Sequence, residues 1–246
     1  MGPFTEPTTE YWQTVEEQAG GIAGLPEARS DIGPFRYRYP ARLPDGRLLW
    51  LPLRTLPDGR HAVASLIATE ASFDVIDILA GHIAALAAAM EPEFIVGLPT
   101  LGLVFAPLVA RSVGHRRYVP LSYSRKFWFD EALSQPVSSI TSPTPGKRLY
   151  LDPNLLDLVA GRRIVVVDDA ISTGSTATAA LRLLASLGAT PAGMVVALKQ
   201  SNRWITPIAE ADAALVDRVR GVFGSPLFHI AEDGWHVLPG SEPQLP

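Results

Sequence analysis

The sequence predicts an α/β protein: a parallel sheet flanked by helices, with a small antiparallel β hood at its N-terminal side. Three observations lead there. Between residues 94 and 199 short apolar runs rich in β-branched residues alternate with apolar helical stretches, the pattern of parallel strands joined by crossover helices. Before residue 68, the turns Pro44-Asp45-Gly46-Arg47 and Pro57-Asp58-Gly59-Arg60 separate apolar or alternating segments, and Asp-Gly supplies the positive φ angles that hairpins need. Finally, Ile164-Val165-Val166-Val167 is a run of four β-branched residues, suited to a strand covered on both faces. The expected organisation is an N-terminal segment with its meander hood over 1–68, an α/β core over 69–238 and a loose tail over 239–246.

Taken in order, residues 1–34 are punctuated by Gly and Pro, with a short helix expected over 10–18. Segments 35–43, 48–53 and 62–67 form the meander. Ser72 can cap a helix over 73–90, with Phe73, Ile76, Ile83, Leu86 and Met90 on one side. Pro92 stops it, and 94–98 is the first parallel strand. A helix over 102–113 closes at Gly114. Strands follow over 118–121, 163–167 and 194–199, with a long irregular stretch over 122–160 and a helix from 179 to about Gly188. After Gln200 the pattern weakens, leaving short strands over 219–223 and 227–230 around Gly224-Ser225-Pro226.

Composition narrows the function classes. The 246 residues are 47% hydrophobic and 19% charged, enough apolar content for a sizeable core. A formal net charge of −4 argues against broad binding to nucleic acid or to an anionic membrane. With no cysteine, there are no disulfides, thiolate nucleophiles or cysteine-ligated metals. The first residues are polar and acidic, so no signal peptide is expected, and the apolar stretch 83–90 is too short to span a bilayer. A cytoplasmic protein is the expectation. The histidines (His61, His82, His115, His229, His236) have neither metal-type nor triad-type spacing, and no metal-ligand cluster is read.

Chemistry concentrates after the strand at 164–167. Asp168 and Asp169 stand at its carboxyl end, where open α/β sheets hold their ligands, and Ser172 to Thr176 make a small hydroxyl-rich turn opening onto a helix. Amides at such a helix start, with the dipole behind them, suit a phosphate. Adjacent acids beside an anion site repel unless donors or a cation offset them, and sugar hydroxyls are such donors. The turn lacks the Gly-Lys-Ser/Thr step of a nucleotide P-loop and the spaced glycines of a dinucleotide fingerprint.

Here the residues resemble a known family. An apolar strand, Asp168-Asp169, two variable residues and Ser172-Thr173-Gly174-Ser175-Thr176 are similar to the phosphoribosyl pyrophosphate (PRPP) signature of type I phosphoribosyltransferases. The resemblance is tight over 94–199 and loose on either side. It implies that Asp168 and Asp169 bind the ribose hydroxyls, and that Ala170, Ser172, Thr173, Gly174, Ser175 and Thr176 hold the 5-phosphate. Thr100, Leu101 and Gly102 fall where the family has its pyrophosphate loop. Many relatives place a basic residue there; Thr100-Leu101 leaves the charge neutralisation to come from elsewhere.

Arg125 and Lys126 fall in the long segment where the family has a loop that closes over the reacting centre, so they are catalytic candidates for the departing pyrophosphate. Lys199 falls where members using oxopurines place a lysine toward the exocyclic oxygen, and Trp204 and Phe228 are candidates for stacking the base. Trp235 is a further aromatic of that kind. The resemblance implies transfer of 5-phosphoribose from PRPP to a nitrogenous base, a purine in preference, with Mg²⁺ bound mainly through PRPP and a homodimer as the common assembly. The competing readings are a regulator that senses PRPP on the same fold without turnover, and a different sugar-phosphate or nucleotide binding protein on the same scaffold.

Overall fold

The computed structural model describes residues 10–17, 33–137 and 147–245. The meander forms as expected: β1 (Arg38–Arg42), β2 (Leu48–Thr55) and β3 (His61–Ala64) pair antiparallel. Gly46 and Gly59 take φ of 89° and 68° at the two turns. Asp45 and Asp58 accept the backbone N–H groups of Arg47 and Arg60, which closes each turn locally. The helix expected over 10–18 does not form in the described part, 10–17. Tyr11 and Trp12 are instead buried in a turn, and Glu16 exchanges backbone hydrogen bonds with Leu48. Burying two large aromatic residues outweighs a short, weakly periodic helical signal.

Next come α1 (Phe73–Ala88), β4 (Phe94–Gly97), α2 (Gly102–Ser112) and β5 (Val119–Pro120). The Ser72 hydroxyl accepts from Val75 N–H and caps α1. Its buried face is Val75, Ile76, Leu79, Ile83 and Ala87, while Phe73, expected on that side, is 88% exposed in the first turn. The irregular stretch after β5 holds a small hairpin, β6 (Ser134–Pro136) with β7 (Arg148–Tyr150). Then follow β8 (Arg163–Ile171), α3 (Ser175–Ser186), β9 (Thr190–Gln200), α4 (Ile205–Asp212) and β10 (Val219–Ser225). The strand expected to end at 167 runs on through both aspartates, and α3 begins four residues before the expected 179. The eight-residue α4 carries too little periodicity to read in the sequence.

The parallel sheet has the order β10-β9-β8-β4-β5. Successive residues of β8 feed two cores: Val165 and Val167 pack toward α1 and α2, while Ile164 and Val166 pack toward α3 and α4. All four are fully buried, and burial of each such side chain is worth about 1.5–3 kcal/mol.

Two final strands, β11 (Leu227–Ala231) and β12 (Gly234–Val237), leave the core and complete the hood sheet in the order β1-β2-β3-β11-β12. Residues 227–237 therefore belong to the hood sheet rather than to the core assigned over 69–238. The segment after 239, expected to be loose, is anchored through residue 245. Ser241 is buried with its hydroxyl accepting from Leu227 N–H, and Gln244 O accepts from Lys199 Nζ at 2.9 Å. No helix among the described residues is long and apolar enough to cross a membrane.

Candidate active site

The strand order reverses between β4 and β8: the chain moves outward from β4 to β5, then returns beside β4 and moves outward the other way through β9 and β10. A crevice forms at the carboxyl edge of such a switch point. Loop 98–101 after β4 and loop 172–174 after β8 both lie at that edge, leading into α2 and α3 on opposite faces of the sheet. Neither helix start is capped by a side chain, so their first amides are left to other acceptors.

Asp168 and Asp169 sit between these helix starts and are only 8% and 9% exposed. Asp168 Oδ1 accepts from Asp169 N–H at 2.9 Å, and the Gly102 backbone also donates to this carboxylate. Gly102 is required by the close approach of α2 to β8, since a Cβ there would lie 2.7 Å from both Asp168 Cα and Oδ1. Burial, then the neighbouring Asp169 charge, pushes the Asp168 carboxyl well above the usual carboxylate range. Burial likewise raises Asp169. Among the described residues neither forms an ion pair. Two buried acids without a cation form a site suited to hydroxyl donors or a bound cation.

The phosphate-loop candidates come together with one shift of place. Gly174 has φ 77°, and Ser175 and Thr176 form the first turn of α3. Thr173 and Ser175 hydroxyls lie 3.0 Å apart. Ala170 is not in the loop: it is a strand residue paired with Leu198. Across the crevice, Thr100 is exposed, Leu101 half-buried and Gly102 buried, with a cis peptide between Pro99 and Thr100.

The segment carrying Arg125 and Lys126 is tied to this loop at its base. Ser122 and Tyr150 exchange backbone hydrogen bonds, and the Tyr123 hydroxyl meets Thr176 Oγ1 at 3.2 Å. Lys147 Nζ lies 3.9 Å from the centre of the Tyr123 ring. Arg125 itself is held at 2.9 Å by Glu131, whereas Lys126 is exposed with no ion pair among the described residues. Beyond them Phe127 and Trp128 are exposed.

The base-contact candidates are placed otherwise than expected. Phe228 is fully buried in an edge-to-face cluster with Phe35 and Tyr39, so no ring face is left for a ligand. Trp235 is likewise fully buried. Trp204 is buried behind loop 172–174: its backbone would lie 3.2 Å from a Cβ on Gly174, and its indole N–H donates to Ser201 O. It supports the loop instead of presenting a stacking surface. Lys199 pairs in register with Gly224, yet its stem folds back along β10, with Cγ 2.8 Å from where a Gly221 Cβ would stand. Its ammonium donates to Gln244 O in a cavity of about 210 Å³ lined with Trp204, Val216 and Arg220, and burial lowers its pKa to about 8. The lysine thus turns away from the carboxyl edge because the terminal segment offers it a carbonyl under cover.

Sequence reasoning missed Arg203, whose Nη2 donates to Ser172 Oγ at 3.0 Å. It lies beyond the fourth strand in a stretch with no periodic signal, so only the folded turn brings it to the loop.

Paired buried acids and a hydroxyl-rich loop thus stand together at the carboxyl edge of a doubly wound sheet. The chain belongs to the phosphoribosyl transferase domain family, which matches residues 63–216. It is 51% identical over 43 residues to the adenine phosphoribosyltransferase of Streptomyces avermitilis, covering 18% of this chain and 24% of that protein. It is 31% identical over 77 residues to the orotate phosphoribosyltransferase of Nitrosospira multiformis, covering 31% of this chain and 32% of that protein. The matches thus span about a quarter and a third of those relatives' lengths. Among solved structures, the adenine phosphoribosyltransferase of Leishmania donovani superposes with a TM-score of 0.52 at 18% identity, over 66% of this chain and 70% of that one. The APRTase of Giardia lamblia, solved in complex with 9-deazaadenine, gives 0.54 at 18% identity, over 70% and 93%. At these identities the likeness is one of fold.

Proposed function

We propose that this chain transfers 5-phosphoribose from PRPP to a nitrogenous base, a purine in preference, releasing pyrophosphate. The observation that carries the reading is the pair of buried, unpaired acids at the switch point, between two helix starts that no side chain caps. A ligand with hydroxyls between two anionic groups matches that order of donors and acceptors. Family membership supports the same chemistry, and the matched relatives are named for one purine and one pyrimidine base.

In this reading a ring nitrogen of the base attacks C1 of the ribose, the C1–oxygen bond breaks, and pyrophosphate leaves with the electron pair. The nitrogen's proton passes to solvent. Positive charge grows on the ribose, and Asp168 and Asp169 beneath it favour that charge while holding the 2- and 3-hydroxyls. Ser172 to Thr176 hold the 5-phosphate; Thr100, Leu101 and Gly102 hold the pyrophosphate. Mg²⁺ fits this site, since two buried carboxyls without a cation are suitable neighbours for one. It would be held mainly by PRPP oxygens beside Asp168 and Asp169, and would supply charge neutralisation for the leaving group. Lys126 and Arg125, once released from Glu131, add positive charge to the same group. No base-contact residue is assigned, because Trp204 and Phe228 are buried and Lys199 turns away. The reading includes a homodimer, a cytoplasmic location, and a hood of 1–68 extended by 227–237 over an α/β core.

Two measurements test this. Incubation with PRPP, Mg²⁺ and pooled purine and pyrimidine bases should yield a base-dependent nucleotide by mass spectrometry. PRPP binding without any nucleotide would favour the sensor reading, and absence of PRPP binding would sink both. Lys126→Ala is expected to lower kcat roughly 10- to 100-fold while weakening PRPP binding much less. An unchanged kcat would remove this lysine from the mechanism.

A further inference from the structure

The turn after β9 is built against the phosphate loop. Ser201 is wholly buried at φ 64°, a conformation that non-glycine residues seldom take, and its N–H donates to Ser225 O at 2.8 Å. Its hydroxyl accepts from Arg203 N–H at 3.4 Å and from Arg203 Nε at 3.3 Å. Trp204 packs its backbone onto Gly174, so residues 201–204 dock on residues 172–174. Held from both sides, Arg203 reaches Ser172 Oγ with Nη2 at 3.0 Å.

Three further facts give this arginine a purpose. It has no carboxylate partner among the described residues. Burial lowers its pKa, and no neighbouring acid opposes that shift. The loop it leans on, Ser172 to Thr176, contains no basic residue and leaves the α3 start uncapped. A guanidinium has five N–H donors in a rigid fork, and its hydroxyl contacts leave several unused.

Resting on the PRPP reading above, we propose that Arg203 is a binding residue for the 5-phosphate, adding a fixed positive charge to an otherwise neutral loop. Sheet order decides which phosphate it serves. Arg203 follows β9, on one side of β8, whereas the pyrophosphate loop follows β4 on the other side. Its contact is with Ser172, in the loop after β8.

Calorimetric titration of wild type, Arg203→Ala and Arg203→Lys with ribose 5-phosphate, PRPP and inorganic pyrophosphate tests the assignment. Arg203→Ala is expected to weaken ribose 5-phosphate and PRPP in parallel, by roughly 10- to 100-fold, and to leave pyrophosphate unchanged. Arg203→Lys should recover part of the loss, as a point charge without the fork. A ligand-free melt equal to wild type shows that the turn is intact; if Arg203→Ala lowers it, the Lys variant carries the comparison. Undiminished ribose 5-phosphate binding, or a loss confined to pyrophosphate, overturns the Arg203 assignment and leaves the PRPP reading standing. Failure of the wild-type protein to bind either sugar phosphate overturns both.

Discussion

Asp169→Asn is expected to lower kcat/KM by roughly 10³-fold, in a protein that nevertheless melts at a higher temperature than wild type near neutral pH. Both halves follow from one feature. Asp169 and Asp168 are adjacent, buried and without a cation among the described residues, and burial raises both pKa values. Between the ordinary aspartate value and the raised folded value, the native state keeps a proton that the unfolded chain has released. Stability therefore falls as pH rises through that window, and ionisation costs the fold its full amount above it. Asparagine has no such ionisation, and its amide can donate to the Asp168 carboxylate. In a chain of this size each kcal/mol recovered raises Tm by about 2–4 °C. Melting curves from about pH 4 to about pH 8 should show wild type losing stability with pH more steeply than the variant. Wild-type turnover in Asp169→Asn sinks the site assignment. Equal pH slopes sink the electrostatic account, and the turnover of the variant then stands as an independent test of the site.

Gly102→Ala is expected to cost about 1–3 kcal/mol of stability and most of the activity. The new methyl would stand 2.7 Å from Asp168 Cα and Oδ1 and 2.8 Å from Val167 O. Two of these atoms belong to the strand backbone, which cannot swing aside, so α2 must move away from β8. That displacement takes the Gly102 N–H from the Asp168 carboxylate and widens the crevice. Gly81→Ala is the control: this glycine lies inside α1 with nothing within 4 Å of its would-be Cβ. Replacing a helical glycine there should stabilise by about 0.5–1 kcal/mol and leave turnover unchanged. A Gly102→Ala protein as stable and active as wild type would show that α2 and β8 have slack there.

The Asp-Asp pair and its loop are legible in a single sequence because strand, acids, turn and helix start are contiguous from Ile164 to Thr176. Local rules act over that distance: β-branched residues extend the chain, Gly174 permits a positive φ, and α3 then exposes its first amides. The meander was equally readable, since Asp45-Gly46 and Asp58-Gly59 close their turns within four residues.

The base side was not legible, and particular residues show why. Trp204 and Phe228 look alike in sequence, as aromatics in weakly patterned stretches. One became the back wall of loop 172–174 and the other the centre of the hood's aromatic cluster. Lys199 ends its strand as expected, yet its direction was set by Gln244, 45 residues later, and by the room that Gly221 leaves on β10.

The sequence by itself determined the α/β pattern, the hairpin turns and the acid-loop signature, because each depends on neighbours a few residues apart. Tertiary structure alone decided which strands flank β8, that 227–237 close the hood, and that Arg203 meets Ser172 across 31 positions. Those outcomes depend on which surfaces exclude water together when distant segments pack, and single-chain periodicity carries no record of that choice.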